Sequence, residues 1–348
     1  MMLRRTLLAG ALQAGSRRTA LAIEGDRFLI NNQPTYPGRT WRGHRVEGLL
    51  LNTRMVLGIF DDRNADTVAN WAYEDTRQWD AARNNREFVA AMPQWREHGV
   101  LSFTLNMQGG NPRGYAGQQP WLTGAFTPRG ELIPEYLNRL RAILDRADEL
   151  GMAPILGVFY FGQDQVLENG AAVRRALKNT VEFVLSREYR NVMIEIANEC
   201  NNRKYDHDIL GPELIPLLIR DAQAVTFRSR RLLVGTSFNG NTLPTPDVTQ
   251  ISDFVLLHGN GVKSPARIGE MVRAVRKQPG YRPKPILFNE DDHFDFDQPV
   301  NHCTAAIAEY ASWGLLDIEG YQTPPVHWGI DTDRKKGFFR LAKEISGV

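Results

Sequence analysis

Apolar and polar positions follow one recurring order along this chain: a short apolar run, a polar stretch, then an amphipathic segment at helical spacing, and again an apolar run. The apolar runs predict strands at 55–60, 101–106, 153–161, 191–199, 231–236, 254–258, 285–290 and 315–321. In the fourth, Val192, Met193, Ile194, Ile196 and Ala197 are nearly continuous rather than alternating, the pattern of a strand buried on both faces in a parallel sheet covered by helices. Apolar residues three and four apart predict helices over 84–98, 135–150, 171–186, 214–227, 267–277, 305–313 and 333–345, with Gly99 and Gly151 in stop positions. Eight strands, nearly all separated by helices, predict an α/β fold, the (β/α)8 TIM barrel, with a doubly wound open sheet as the alternative. Residues 27–36, two apolar segments about Asn31-Asn32, predict a short N-terminal β-hairpin at the bottom of that barrel. No linker or repeat divides residues 23–348, which read as one domain.

The first 22 residues differ in kind. Arg4-Arg5 precedes the apolar Thr6 to Leu12, and Ala20-Leu21-Ala22 closes the segment, so residues 1–22 resemble a bacterial export signal of the twin-arginine type. The expectation is a leader of a periplasmic or secreted bacterial protein; a disordered cytoplasmic leader is the alternative. No segment approaches the ~20 apolar residues that span a bilayer. A hydrophobic content of 42% and a charged content of 24% place the chain among globular proteins with a large core. The formal net charge of +2, with no block of one sign, leaves no electrostatic footprint for nucleic acid. Cys200 and Cys303 make neither a disulfide framework nor a zinc-ribbon spacing. Oligomeric state leaves no signature.

Chemistry concentrates where two apolar runs stop. The fourth strand ends in Asn198-Glu199-Cys200-Asn201-Asn202 and the seventh in Asn289-Glu290-Asp291-Asp292. In α/β folds the C-terminal strand ends face a common crevice, so both Asn-Glu pairs are expected on one rim. Two carboxylates about 5–5.5 Å apart suit glycoside hydrolysis with retention, and a gap of ~6.5–9.5 Å suits inversion. Asn106, Gln108 and Gln163, at the ends of strands two and three, are candidates for binding hydroxyls. The stretches from Trp71 to Trp79 and from Tyr115 to Trp121 are long loops expected to shape a cleft.

Asn198-Glu199 closing strand four and Glu290 closing strand seven resemble glycoside hydrolase clan A, the barrel superfamily that includes family 5 cellulases and mannanases. That resemblance implies a carbohydrate substrate and retention without metal or cofactor. It implies Glu199 as general acid/base, Glu290 as nucleophile and Asn198 as hydrogen-bond donor to the sugar hydroxyl beside the reacting carbon. It also implies sugar contacts from His258 after strand six and Trp328 after strand eight. For such chemistry Glu199 needs a raised pKa while Glu290 stays ionised. The chain departs from family 5 at strand two, which ends Asn106-Met107-Gln108 without an Arg, and at strand three, which ends Phe161-Gly162-Gln163-Asp164 without a His. No Tyr follows His258-Gly259-Asn260, which leaves Tyr160 or Tyr321 to steady the nucleophile, and Glu319 is a reserve carboxylate. Two rival readings stand beside this one. A metal-dependent barrel hydrolase would draw on Asp61-Asp62 and on Asp291, Asp292, His293, Asp295 and Asp297. A non-catalytic barrel would bind carbohydrate without turnover.

Overall fold

The computed structural model describes residues 17–115 and 117–348. It opens with an antiparallel meander of β1 (Leu21–Glu24), β2 (Arg27–Ile30) and β3 (Gln33–Pro34). Asn31 and Asn32 make the turn between β2 and β3, both at positive φ (53° and 64°), a conformation that asparagine tolerates and β-branched residues do not. A two-stranded ribbon, β4 (Thr40–Trp41) and β5 (His44–Arg45), follows.

Eight parallel strands then alternate with helices: β6 (Asn52–Arg54), β7 (Ser102–Asn106), β8 (Ile155–Tyr160), β9 (Met193–Asn198), β10 (Leu233–Gly235), β11 (Val255–His258), β12 (Ile286–Glu290) and β13 (Gly314–Leu315). The order β10-β9-β8-β7-β6-β13 is one parallel sheet, and β11 pairs with β12. Backbone bonds close the circle at its two seams. Asp253 N donates to Val234 O at 2.9 Å between β10 and β11, and Ser312 exchanges 2.9 Å bonds with Ile286 and Phe288 between β12 and β13. The chain therefore has the (β/α)8 barrel fold. Its helices are α1 (Ala81–Glu97), α2 (Pro134–Leu150), α3 (Gly170–Ser186), α4 (Ile215–Ala224), α5 (Pro246–Ile251), α6 (Pro265–Arg276), α7 (His302–Ala308), α8 (Ile318–Tyr321) and α9 (Asp333–Ser346). The longer ones lay their apolar stripes on the sheet, as α2 does with Tyr136, Leu140, Ile143, Leu144 and Ala147 before Gly151 ends it in the left-handed conformation (φ 69°). Among the described residues no helix is long and apolar enough to cross a membrane.

Two of the expected strands fall elsewhere. The first is Asn52–Arg54, not 55–60, which is buried turn and coil. The run from Leu49 to Phe60 is apolar almost throughout, and the strand takes its polar part because the barrel interior there is polar: Asn52 Nδ2 donates to Phe288 O across the barrel at 3.0 Å. Gly314 on β13 makes room for that amide, since a Cβ there would collide with Asn52 Oδ1. The last expected strand, 315–321, ends at Leu315. Asp317 then accepts from Gly320 N and caps α8, so the chain turns into a helix instead of extending.

Residues 1–16 of the expected leader lie outside the described residues, and the remaining six are built into the barrel bottom. Arg18 N and Thr19 N both donate to the Asp148 carboxylate of α2 (3.0 and 2.9 Å), and Leu21 N donates to Arg190 O at 2.8 Å just ahead of β9. Ala20-Leu21-Ala22, read in the sequence as a cleavage motif, enters β1. The boundary expected at residue 22 thus cuts through an element rather than between elements. Replacing Asp148 by Ala leaves the buried Thr19 amide, and the more exposed Arg18 amide beside it, without this acceptor and is expected to cost about 1–3 kcal/mol. Denaturant midpoints measure the loss, together with faster proteolytic nicking within residues 17–24. An unchanged midpoint would show that this segment adds nothing to the fold.

Candidate active site

Strands four, six, seven and one of the barrel deliver their last residues to one place at its C-terminal end. Asn198 is the last residue of β9, and Glu199 follows at φ 53°, the left-handed region that a glutamate adopts at a cost of about 1–2 kcal/mol. Its amide donates to Ser237 Oγ at 2.9 Å, which holds the turn. Strain of this kind persists where the surroundings over-determine it, commonly at functional sites. His258 ends β11 and Glu290 ends β12, with the two residues paired in register.

His258 joins the carboxylates. Its Nδ1 lies 3.1 Å from Glu199 Oε1 and 3.5 Å from Glu290 Oε2. Both neighbours are acceptors, so Nδ1 carries a proton. An oxygen of Glu199, an oxygen of Glu290 and the imidazole nitrogen lie within 4.8 Å of one another. Glu199 and Glu290 are 8% and 6% exposed, so both sit at the floor of the barrel mouth with a narrow access to solvent.

Arg54, the last residue of β6, was lost to the sequence reading because it stood just before the expected first strand. It is 1% exposed, places Nη1 3.1 Å from Glu290 Oε2, and donates from Nη2 to Asn198 Oδ1 at 3.0 Å. A lone arginine in an apolar run is itself a signal, because a buried guanidinium needs a carboxylate partner. It supplies from strand one the cation that strand two lacks. Two further amides were missed: Asn260 Nδ2 donates to Glu290 Oε1 at 3.1 Å, and Asn202 Nδ2 donates to Glu199 Oε2 at 3.3 Å.

The other sequence candidates divide. Tyr160, 5% exposed and paired with Asn198 in register, is near enough to both glutamates for their charges to act on its phenol. Asn106 is buried with both ends of its amide unpartnered, and it faces Gly157, where a Cβ would collide with its Oδ1. It therefore belongs to the barrel interior below the mouth. Gln108 and Gln163 are not free for a ligand. Gln108 donates to Gln163 O and accepts from Tyr160 N, while Gln163 accepts from Thr123 and donates to Trp121 O, so both amides satisfy loop backbone. Trp328 is 2% exposed, bonds Asn84 Oδ1 through Nε1, and packs on Phe88, Trp95 and Tyr321; it is core, not a sugar platform. Tyr321 is fully buried and donates to Gly329 O, away from the glutamates, and the Glu319 carboxylate pairs with Arg334 on the surface.

Most carboxylates of the metal reading are engaged: Asp292 accepts from Tyr115 OH, while Asp295 is exposed. Asp62 accepts from Thr67 Oγ1 and Trp71 Nε1, and Asp61 accepts from Trp79 Nε1 and pairs with Arg139. Asp291 accepts from Trp313 Nε1 and from the Nδ1 atoms of His302 and His293, at 2.9, 2.8 and 2.7 Å. Tetrahedral zinc with bonds of about 2.0–2.1 Å holds its ligand atoms roughly 3.3 Å apart, so the shorter Asp291–imidazole separations are hydrogen bonds. Asp297 pairs with Arg340 on the surface. The Asp291 oxygens are thus spent on positioning two stacked imidazoles and an indole.

Charge at the site is shared unevenly. Burial pushes the Glu290 carboxyl up, and the nearby charge of Glu199 adds to this against the pull of Arg54 and His258, so Glu290 sits above the ordinary range. Burial also pushes Glu199 up, yet the hydrogen bond and charge of His258, with Arg54, hold it below that range. This is the reverse of the division expected from sequence, and the cause is the imidazole, which bonds Glu199 more closely than Glu290. His258 is lowered by burial but raised beyond this by Glu290 and Glu199, so its pKa lies above the ordinary 6.5.

No family model matches the chain, and no curated protein matches it. Solved structures do. An endo-1,4-beta-mannanase from Rhizomucor miehei is similar over 85% of this chain and 89% of its own, with a TM-score of 0.54 and 12% identity. A beta-mannanase from the blue mussel Mytilus edulis is similar over 95% and 97%, with a TM-score of 0.54 and 11% identity. A glycoside hydrolase family 5 enzyme from Prevotella bryantii is similar over 86% and 96%, with a TM-score of 0.54 and 10% identity. At such identities the likeness is one of fold: this chain shares the barrel of family 5 glycoside hydrolases nearly end to end.

Because the folded-state pKa of His258 exceeds its unfolded 6.5, the imidazole stabilises the fold fully below about pH 6.5. That contribution is lost as pH rises through the raised value. Denaturation midpoints of the native chain and of His258→Gln, compared between pH 5 and 9, are expected to diverge below neutrality and converge above it. Parallel curves would show that the His258 pKa is the same in the folded and unfolded states, and a relative loss of native stability below about pH 6.5 would show an imidazole held neutral in the fold.

Proposed function

We propose that this chain is a retaining glycoside hydrolase that cleaves O-glycosidic bonds of an oligo- or polysaccharide by double displacement. The observation that carries this reading is the glutamate pair at the ends of strands four and seven, with carboxyl oxygens within 4.8 Å of each other at the mouth of a family 5-like barrel. An oxygen–oxygen separation of this size suits the carboxyl spacing of about 5–5.5 Å that retention uses.

In the first step an oxygen of Glu290 bonds to the anomeric carbon as the bond to the leaving oxygen breaks, and the Glu199 carboxyl gives that oxygen its proton. In the second, Glu199 takes a proton from water, the water oxygen bonds to the anomeric carbon, and Glu290 leaves as carboxylate. Arg54 and Asn260 aim the nucleophile by holding one oxygen each. Since Asn198 Oδ1 already accepts from Arg54, its NH2 is the end left to donate to the hydroxyl beside the reacting carbon. A sugar entering between Glu199 and His258 removes the bond that holds Glu199 ionised, and burial then raises its pKa toward what a general acid needs. The names of the solved neighbours point to β-1,4-linked hexose chains as the first substrates to try. Residues 1–22 stay as the proposed export leader of a periplasmic or secreted bacterial protein, its last six residues being those that pack on the barrel bottom.

With 2,4-dinitrophenyl β-glycosides and β-1,4-linked oligosaccharides, the first-formed sugar is expected to keep its anomeric configuration by NMR. Glu290→Gln is expected to lower kcat by about a thousand-fold or more with the fold intact. Azide is expected to restore turnover of the activated aryl glycoside in Glu199→Ala, because the small anion replaces the water that this residue would activate. Inverted product, or near-normal activity in Glu290→Gln, would end the reading. Arg54→Lys keeps the charge but loses the fork that bonds Glu290 and Asn198 together, and it is expected to reduce kcat at least ten-fold while KM changes little.

A further inference from the structure

The loop after strand two, residues 107–133, is the longest of the loops at the barrel mouth and does not stay above its own strand. Leu122 N donates to Asp62 Oδ1 at 2.9 Å, which ties it to the loop after strand one, and Gln119 Nε2 donates to Phe161 O at 3.1 Å, which ties it to strand three. Its tip reaches the far side. Gln322 Nε2, at the end of α8, donates to Asn111 O at 2.9 Å, and Gly114 packs so closely on Ile318 that a Cβ there would stand 2.7 Å from its Cγ2. Tyr115 OH donates to Asp292 Oδ2 at 2.8 Å, two residues past Glu290, and is near enough to Glu290 for that charge to act on its phenol. One loop thus walls the mouth from the end of strand three, over strands two, one and eight, to the end of strand seven. The connections after strands five (236–245) and six (259–264) are far shorter.

The wall stands on the side of the nucleophile, and the unwalled sector lies on the side of the acid. The sugar attacked by Glu290 must sit against the wall, and the leaving group must lie by Glu199 toward strands four to six. A terminal sugar carries a hydroxyl where an internal one carries the next glycosidic bond. The Tyr115 phenol and the Asp292 carboxylate bond each other at that end, and together they offer a donor and an acceptor to such a hydroxyl, whereas a continuing glycosidic bond has no proton to give the carboxylate and its next sugar would meet the wall. We infer that, within the glycosidase reading on which this rests, the enzyme works from the non-reducing end of its chain and releases a short product of fixed length, with Tyr115 and Asp292 as the residues that impose it. This separates it from the structurally similar endo-1,4-beta-mannanase.

The full chain is tested on β-1,4-linked manno- and gluco-oligosaccharides labelled at the reducing end and on soluble galactomannan and carboxymethyl cellulose. Expected are one short unlabelled product from every oligosaccharide and a rise in reducing ends with little loss of polymer viscosity. A spread of fragments with rapid viscosity loss would overturn the inference and leave the glycosidase reading standing. No turnover of these substrates or of the aryl glycosides would overturn that reading and the inference with it. Tyr115→Ala is expected to raise viscosity loss per bond cleaved several-fold, and an unchanged ratio would remove Tyr115 from the wall.

Discussion

A single buried cation makes the site possible. Burying Glu199 and Glu290 at one barrel mouth, above the fully buried Glu195, sets like charges near each other in a poorly solvated place, where each lost hydration shell costs several kcal/mol. Arg54, 1% exposed, is the fixed positive charge that offsets this. Its planar fork does two things that an ammonium group cannot do together: it faces Glu290 with one nitrogen and Asn198 with another. The nucleophile candidate and the amide next to the acid candidate are thereby held in one geometry. His258, between the two glutamates, is the mobile part of the same balance, since it can gain or lose charge near neutral pH.

The barrel exists around that balance. Its interior is not uniformly apolar: Asn52, Asn106, Glu195 and Asn289 lie inside it, with Asn289 Nδ2 donating to Glu195 Oε2 at 3.3 Å. Gly157 and Gly314 leave space for the amides beside them. The polar layer shapes the strand below the mouth, which is why β6 takes Asn52–Arg54 instead of the more apolar residues that follow. Loops do the remaining work. Gln108, Gln163, Asp61 and Asp62 spend their hydrogen bonds on holding the long loops in place, so polar residues that read as ligand contacts serve as scaffolding for the walls of the mouth.

Much of this was legible in the chain itself. Apolar runs and amphipathic stretches in strict alternation leave few ways to bury both, and the eight-stranded parallel barrel is one that buries both faces of every strand. Strand ends coincide with the point where apolar residues give way to Asn-Glu, so Glu199 and Glu290 were placed on one rim by period and order alone. What tertiary structure alone decided is which polar residues meet. Arg54 and Glu290 are far apart in sequence, as are His258 and Glu199, and nothing local makes them neighbours; the shear and closure of the barrel do. The same closure sends Trp328 into the core, where its indole bonds Asn84, because an aromatic that can satisfy its one donor in the interior gains more by burial than at the rim. Periodicity records which face of an element is covered, not by what, and the covering partner is what sets a pKa, a wall and a site.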